Sequence, residues 1–104
     1  METKSIVRAL AAIAHEARLE TYRQLVQAGP AGLPAGRLSE LVKIPPSSLS
    51  FHLKELVNAG LLTSRHEGRF VFYSVQYETM NSLLAYLTEN CCGGDPCTVT
   101  PKTR

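Results

Sequence analysis

Three cysteines stand close together near the C-terminus, and of all the residues in the chain they are the best suited to bind a soft ion. Cys91, Cys92 and Cys97 lie in the segment CysCysGlyGlyAspProCys, and the rest of the 104-residue sequence contains no cysteine. Thiolate sulfur is a soft ligand that selects thiophilic ions. The cluster therefore predicts a metal or metalloid site formed by one short piece of chain.

The spacing also limits how these sulfurs could reach one ion. Neighbours on a regular helix point about 100° apart, so Cys91 and Cys92 can converge only where the helix is broken. The two glycines that follow release the backbone, and the AspPro pair favours a turn that brings Cys97 back. Three thiolates without a nearby histidine suit trivalent arsenic, As(III), or antimony, Sb(III), whereas a structural zinc site usually has four ligands.

Other roles for the cysteines stay open at this stage. The ion could be another soft metal such as cadmium or lead, or the segment could be a tail with incidental cysteines. In a redox switch, Cys91 or Cys92 would pair with Cys97 or with a partner chain. A small thiol reductase is disfavoured, because no helix N-terminus, histidine or arginine lies beside the thiols to lower a thiol pKa. We therefore expect a binding protein and not an enzyme.

The elements that must position this cluster follow from the spacing of apolar residues. Helical spacing predicts five helices, over residues 3–14, 15–28, 34–43, 46–59 and 78–90. Period-two alternation after Gly60 predicts a β-hairpin with residues 66–69 at its tip. The expected fold is mainly α with a β-hairpin wing, a winged helix-turn-helix of order α-α-α-α-β-β-α. Residues 1–90 would form this domain, and residues 91–104 a cysteine-containing tail.

The fourth predicted helix is the candidate for reading duplex DNA. Its inward positions are leucines, and its other faces carry short hydroxyl, aromatic and basic side chains that could contact phosphates or base edges. The hairpin tip adds further cations. The predicted DNA-binding residues are Ser47, Ser48, Ser50, Phe51, His52, Lys54, Arg65, His66 and Arg69. Simpler readings are that the serines only cap the helix, that His52 is a packed histidine, and that the hairpin tip is merely solvated.

Composition sets weaker bounds. The net charge of +2 points only faintly to nucleic acid, although basic side chains outnumber acidic ones in the central part of the chain. One domain of this length leaves no room for a separate catalytic domain. No apolar run is long enough to span a membrane, and the N-terminus does not resemble a secretory signal, so the expected location is the cytoplasm.

Several stretches resemble the ArsR family of metal- and metalloid-responsive repressors. They are ProProSerSerLeuSerPheHisLeuLysGluLeuValAsnAlaGlyLeuLeu, then ArgHisGluGlyArg and PheTyrSerVal, and the earlier AlaHisGluAlaArgLeuGlu. The resemblance spans roughly residues 5–88 and implies a homodimer on a palindromic operator, with repression relieved by an inducer. It implies an interface on the first and last helices, at Ile6, Leu10, Ile13, Met80, Leu83, Leu84 and Leu87. Pro45 departs from the family, which often has a capping side chain there.

The family's best-known ligand sets do not transfer to this chain. Its arsenic sites often use cysteines on the third helix, and here that helix has none. A zinc-type site on the last helix needs histidines, which the segment 78–90 lacks. The tail instead resembles a variant in which arsenite is held at the end of the dimerisation helix. The expected function is a repressor of an arsenic-resistance operon, released from DNA by arsenite, antimonite or methylarsenite. A protein-binding winged helix without DNA affinity is the remaining alternative.

Overall fold

Helices form most of the part of the chain that the computed structural model describes, residues 2–94. A three-stranded antiparallel sheet, with strand order β1-β3-β2, completes it. The elements in chain order are α1 (Thr3–Ile13), α2 (Glu16–Ala28), β1 (Leu33–Pro34), α3 (Ala35–Val42), α4 (Pro46–Asn58), β2 (Leu62–Glu67), β3 (Phe70–Val75) and α5 (Tyr77–Thr88), followed by a 3-10 turn (Cys91–Gly94). The predicted winged helix-turn-helix is confirmed.

Leucines from α2, α3, α4 and the start of the wing form the centre of the core. Leu25, Leu38 and Leu56 have no exposed surface, and Leu49 and Leu53 are equally well buried. Each such side chain stabilises the fold by about 1.5–3 kcal/mol relative to an exposed one. The buried leucines of α4 fix the rotation of that helix, so its other faces turn toward solvent.

A tight turn sets the angle between α3 and α4. Lys43 takes the left-handed conformation (φ 58°, ψ 45°), and its N–H donates to the carbonyl of Ser39. The Ser39 hydroxyl donates to the carbonyl of Ile44 over 2.6 Å, which closes the turn from the other side. Pro46 then starts α4 at a position where a missing N–H costs nothing.

Strand β1 is an element that the sequence prediction missed. The sequence predicted no strand between the second and third helices, with the third helix starting at Pro34, but Leu33 and Pro34 pair with Tyr73 and Phe72 of β3. A two-residue strand shows no alternation of its own, so period analysis cannot detect it. Gly32 has a positive φ of 74°, and a Cβ there would lie 2.3 Å from the backbone oxygen of Tyr73, which makes glycine necessary.

Two boundaries differ from the sequence prediction by two residues, and several helix ends differ by one. The hairpin strands extend to Glu67 and Phe70, so the turn consists of Gly68 and Arg69 alone and is shorter than the predicted 66–69 tip. Helix α5 ends at Thr88 and not at residue 90, because Glu89 leaves the helical conformation (ψ 129°) and Asn90 after it is left-handed. Within residues 2–94, no helix has both the length and the apolar character needed to cross a bilayer.

Candidate nucleic-acid interface and cysteine pair

The first two turns of α4 present a polar, exposed surface. Ser47, Ser48, Ser50 and Lys54 are all exposed, and the Phe51 side chain keeps 56% of its surface in contact with solvent. This places five of the predicted DNA-binding residues together on the surface of one helix. The arrangement allows the hydroxyls and the ammonium group to reach the same stretch of duplex, while the ring offers an apolar contact for a thymine methyl.

The N-terminus of α4 has no side-chain cap, as Pro45 led us to expect. Pro45 occupies the N-cap position and makes no capping hydrogen bond. The N–H groups of Ser47 and Ser48 in the first turn therefore keep their capacity to donate. Such uncapped donors, together with the positive end of the helix dipole, are well suited to a phosphate oxygen.

His52 occupies a different environment from its neighbours on α4. The Nε–H of Arg18 donates to Nδ1 of His52 over 3.1 Å, and the rings of His15 and His52 lie 4.7 Å apart. The Arg18 guanidinium also lies 5.6 Å from the centre of the Phe51 ring. No spacing or motif in the sequence indicated this link between α2 and the reading helix. Its members Arg18 and His15 belong to the AlaHisGluAlaArg stretch that carried part of the family resemblance.

The hydrogen bond from Arg18 determines which nitrogen of the neutral His52 ring carries the proton. Nδ1 acts as the acceptor, so the proton of the neutral ring lies on Nε2. Burial lowers the pKa of His52 below its ordinary value, and the nearby charges of His15 and Arg18 lower it further. His52 is therefore both the packed histidine of the simpler reading and a ring that can donate from Nε2.

The wing places its three predicted DNA-binding residues in different surroundings. His66 and Arg69 are exposed at or beside the turn, where the structure gives them no hydrogen bond or ion pair with another described residue. Arg65 instead makes three contacts within the chain. Its Nε–H donates to the Glu67 carboxylate over 2.7 Å, its Nη2 donates to the carbonyl of Ala31 over 2.9 Å, and its guanidinium lies 4.9 Å from the Phe72 ring centre.

The two described cysteines lie just beyond α5, and their sulfurs are close. Sγ of Cys91 is 3.7 Å from Sγ of Cys92. The backbone is left-handed at Asn90 (φ 58°) and Cys92 (φ 58°), which interrupts the regular helix. The sequence prediction required such an interruption for the two sulfurs to point toward one ion. Cys97 lies outside the described residues. Within residues 2–94 no cluster of three or more potential ligands occurs, so these two thiols are the described part of the predicted site.

Helices α1 and α5 are linked by a hydrogen bond between their ends, and both carry exposed apolar side chains. The hydroxyl oxygens of Thr3 and Tyr86 are 2.5 Å apart, which ties the start of α1 to the end of α5. The predicted interface residues are unequally exposed. Ile6 and Leu83 are buried within the single chain, and Ile13 and Met80 are half-buried. The exposed members are Leu10, Leu84 and Leu87, which are joined by Val7, a residue absent from the prediction.

Comparisons with known proteins identify the family. A family model described as "Helix-turn-helix domain" matches residues 13–65. The arsenical resistance operon repressor of Bacillus subtilis is 36% identical over 81 residues, which are 78% of this chain and 73% of that protein.

Solved structures agree in fold. HlyU from Vibrio cholerae superimposes with a TM-score of 0.69 at 31% identity, covering 88% of this chain and 99% of HlyU. An ArsR-like transcriptional regulator from Rhodococcus sp. RHA1 has a TM-score of 0.73 at 24% identity, covering 88% of this chain and 82% of that protein, and supports the fold. With its reading helix, wing and sequence relatives, the chain belongs to the ArsR family of winged helix-turn-helix transcriptional regulators, which bind DNA and are not enzymes.

Proposed function

We propose that this chain is a homodimeric repressor of an arsenic-resistance operon. It binds operator DNA through α4 and the wing, and it releases the DNA when As(III) binds the thiolates of Cys91, Cys92 and Cys97. Sb(III) is the expected second inducer. Because the chain would act on the DNA of the cell, the expected location is the cytoplasm.

The exposed surface of α4 supports the DNA-binding half of the proposal. Its uncapped first turn offers backbone donors to one phosphate, and Lys54 can reach another. Ser47, Ser48 and Ser50 are short enough to let the helix backbone approach the floor of the major groove. On the wing, His66 and Arg69 extend toward the neighbouring backbone or minor groove.

The apolar faces of α1 and α5 support the dimer. Side chains of Val7, Leu10, Leu84 and Leu87 are between 41% and 58% exposed in the single chain. Covering them with the same face of a second copy would remove apolar surface from water, which a chain of this length gains from. Two-fold symmetry would then set the two reading helices on half-sites about one turn of DNA apart.

The close approach of the two cysteine sulfurs is the single observation that carries the inducer assignment. Zinc bound to two thiolates at about 2.3 Å, with a tetrahedral angle between the bonds, holds the sulfurs about 3.8 Å apart, and a pyramidal ion with narrower angles holds them somewhat closer. The observed separation of Sγ atoms in Cys91 and Cys92 is 3.7 Å, so the pair needs little rearrangement to act as two ligands. Cys97 would supply the third ligand of a pyramidal As(III) site.

The position of the pair suggests how binding could change DNA affinity. The cysteines follow directly on α5, and the Thr3–Tyr86 contact joins the last turn of α5 to the first turn of α1. Binding of one ion by all three thiolates would therefore act beside the proposed dimer face. Inducer binding lowers DNA affinity only if the ligand prefers a dimer geometry that does not fit the operator.

The test titrates the protein–DNA complex with arsenite or zinc. The complex contains a fluorescent duplex carrying the promoter of the gene's own operon, and dissociation is measured as a fall in fluorescence anisotropy. Arsenite should dissociate the wild-type complex, whereas zinc should have little effect. Cys97→Ser, Cys91→Ser and Cys92→Ser should each bind the duplex normally and fail to respond. Thr88→Ser, a conservative change on the last turn of α5, is the matched control and should respond like wild type. A Cys97→Ser protein that responds normally would rule out the three-thiolate site.

A thiol redox switch, in which Cys91 or Cys92 pairs with Cys97 or with a partner chain, is the second candidate, because the Cys92 side chain is exposed to solvent. The two candidates differ in their triggers. A redox switch predicts dissociation by hydrogen peroxide and recovery with dithiothreitol. Dissociation by arsenite under fully reducing conditions, with cadmium titrated in parallel, supports the ligand-binding function.

A further inference from the structure

We propose that Arg65 is a positioning residue that holds the wing against the loop between α2 and β1, and that it does not itself contact phosphate. This inference rests on the proposed DNA-binding function and refines it. It also replaces the role predicted for Arg65 from the sequence, where it stood among the DNA-binding cations of the wing.

The contacts of Arg65 within the protein involve its Nε–H, its Nη2 group and the centre of its guanidinium. The Nε–H is directed to Glu67 on the same strand, at 2.7 Å. The Nη2 group reaches the carbonyl of Ala31, 34 positions away in sequence, at 2.9 Å. The flat face of the group lies 4.9 Å from the ring centre of Phe72, the residue directly opposite on β3.

The acceptor of this long-range bond belongs to a firmly held loop. The N–H of Gly32 donates to the carbonyl of Gly29 over 3.0 Å, which closes a turn around Ala31. Gly32 itself lies against the backbone of Tyr73, so closely that no side chain fits between them. Arg65 therefore ties one strand of the wing to a fixed point on the body of the domain.

The positive charge of Arg65 is also paired with a negative charge in the protein. The Glu67 carboxylate forms an ion pair with it, whereas Arg69 at the turn has no such partner among the described residues. A phosphate contact by Arg65 would have to compete with this carboxylate, and a contact by Arg69 would not. The wing therefore contains one arginine that fixes its orientation and a second that can meet the DNA backbone.

Salt dependence separates the two roles. A residue that neutralises one phosphate contributes about 0.9 to the slope of log K against log salt concentration. A positioning residue changes the affinity without changing the slope. The probe is a duplex selected by the wild-type protein from a random-sequence pool, with a scrambled duplex of the same composition as the non-specific reference.

Three variants form the test set. Arg65→Gln and Arg65→Lys should both weaken binding to the selected duplex by about fivefold, because neither can make the same forked contacts. Both should keep the wild-type slope and bind the scrambled duplex almost as wild type does. Arg69→Gln is the control and should lower the steepness of the slope by about 0.9 on either duplex.

Two results would overturn the inference. One is a slope reduced by about 0.9 in Arg65→Gln together with wild-type affinity in Arg65→Lys, which is the behaviour of a phosphate contact. The other is unchanged affinity in both Arg65 variants. Failure of the wild-type protein to select any duplex would instead count against the DNA-binding function, so the two failures are distinguishable.

Discussion

The side chain of Arg18 donates from Nε to Nδ1 of His52 over 3.1 Å, which joins the first turn of α2 to the middle of the reading helix. Helix α4 is thus held by a polar contact in addition to its buried leucines. Since the contact requires an unprotonated Nδ1, it depends on the charge state of one imidazole.

Acidification should weaken this contact and lower the stability of the fold. The pKa of His52 is lower in the folded chain than its ordinary value near 6.5. As the pH falls below 6.5, the unfolded chain binds the proton more readily than the folded one, so the free energy of unfolding decreases. Well above that pH, where the ring is neutral in both the folded and the unfolded chain, His52 adds no pH dependence.

Urea unfolding at pH 7.5, 6.5 and 5.5 checks the prediction. His52→Asn should lose stability less steeply than wild type over this range. His66→Asn, which changes an exposed histidine of the wing, is the control and should retain the wild-type slope. Equal slopes for wild type and His52→Asn would contradict the prediction.

Replacing Gly32 by alanine should be strongly destabilising. The new Cβ would lie 2.3 Å from the backbone oxygen of Tyr73, and the φ of +74° is itself unfavourable for alanine. We expect a loss of about 3 kcal/mol or more, or failure to fold.

Gly68→Ala separates the steric cause from the backbone cause, because Gly68 also has a positive φ (+65°) but a Cβ added there would meet no atom within 4 Å. It should cost only about 1 kcal/mol in thermal or urea unfolding. A similar loss in both variants would show that the close approach to Tyr73 contributes little.

Replacing Lys43 by glycine should stabilise the protein. Lys43 is exposed and left-handed, with φ 58° and ψ 45°, a conformation that glycine adopts without a steric penalty. The expected gain is about 0.5–1 kcal/mol after the greater freedom of glycine in the unfolded chain is counted. Lys54→Gly, at an exposed helical position of α4, should instead lose about 1 kcal/mol. Differential scanning calorimetry at one fixed protein concentration gives both values, and a loss for Lys43→Gly would contradict the prediction.

A charge at Leu84 should disrupt the proposed dimer while leaving the chain folded. Leu84 is 55% exposed in the single chain, so Leu84→Glu disturbs the core little. We expect sedimentation equilibrium to show a monomer, and operator affinity to fall by at least about tenfold because the two half-sites are no longer bound together. Leu19→Glu is the matched control, since Leu19 is 45% exposed on α2 and lies outside the proposed interface. A dimeric Leu84→Glu protein would place the interface elsewhere.

Strong local patterns made most of the fold predictable. The four amphipathic helices before the wing, the proline break before α4 and the hairpin after Gly60 each have several residues that repeat at one period, and the structure contains all of them. Strand β1 was missed because Leu33 and Pro34 are strand residues only through pairing with β3. The same limit applies to the site. Sequence spacing could place Arg65 on the wing, but its contact with Ala31 depends on how distant segments pack.

Helix α5 ends at Thr88, before the first cysteine, so Cys91 and Cys92 lie beyond the five α-helices and three strands of the domain. Changes among them need not disturb the buried leucines or the reading surface of α4. Related repressors could therefore gain, lose or exchange a response to a given ion through a few substitutions in this tail. The ion that a repressor responds to would then evolve largely independently of the operator sequence that it binds.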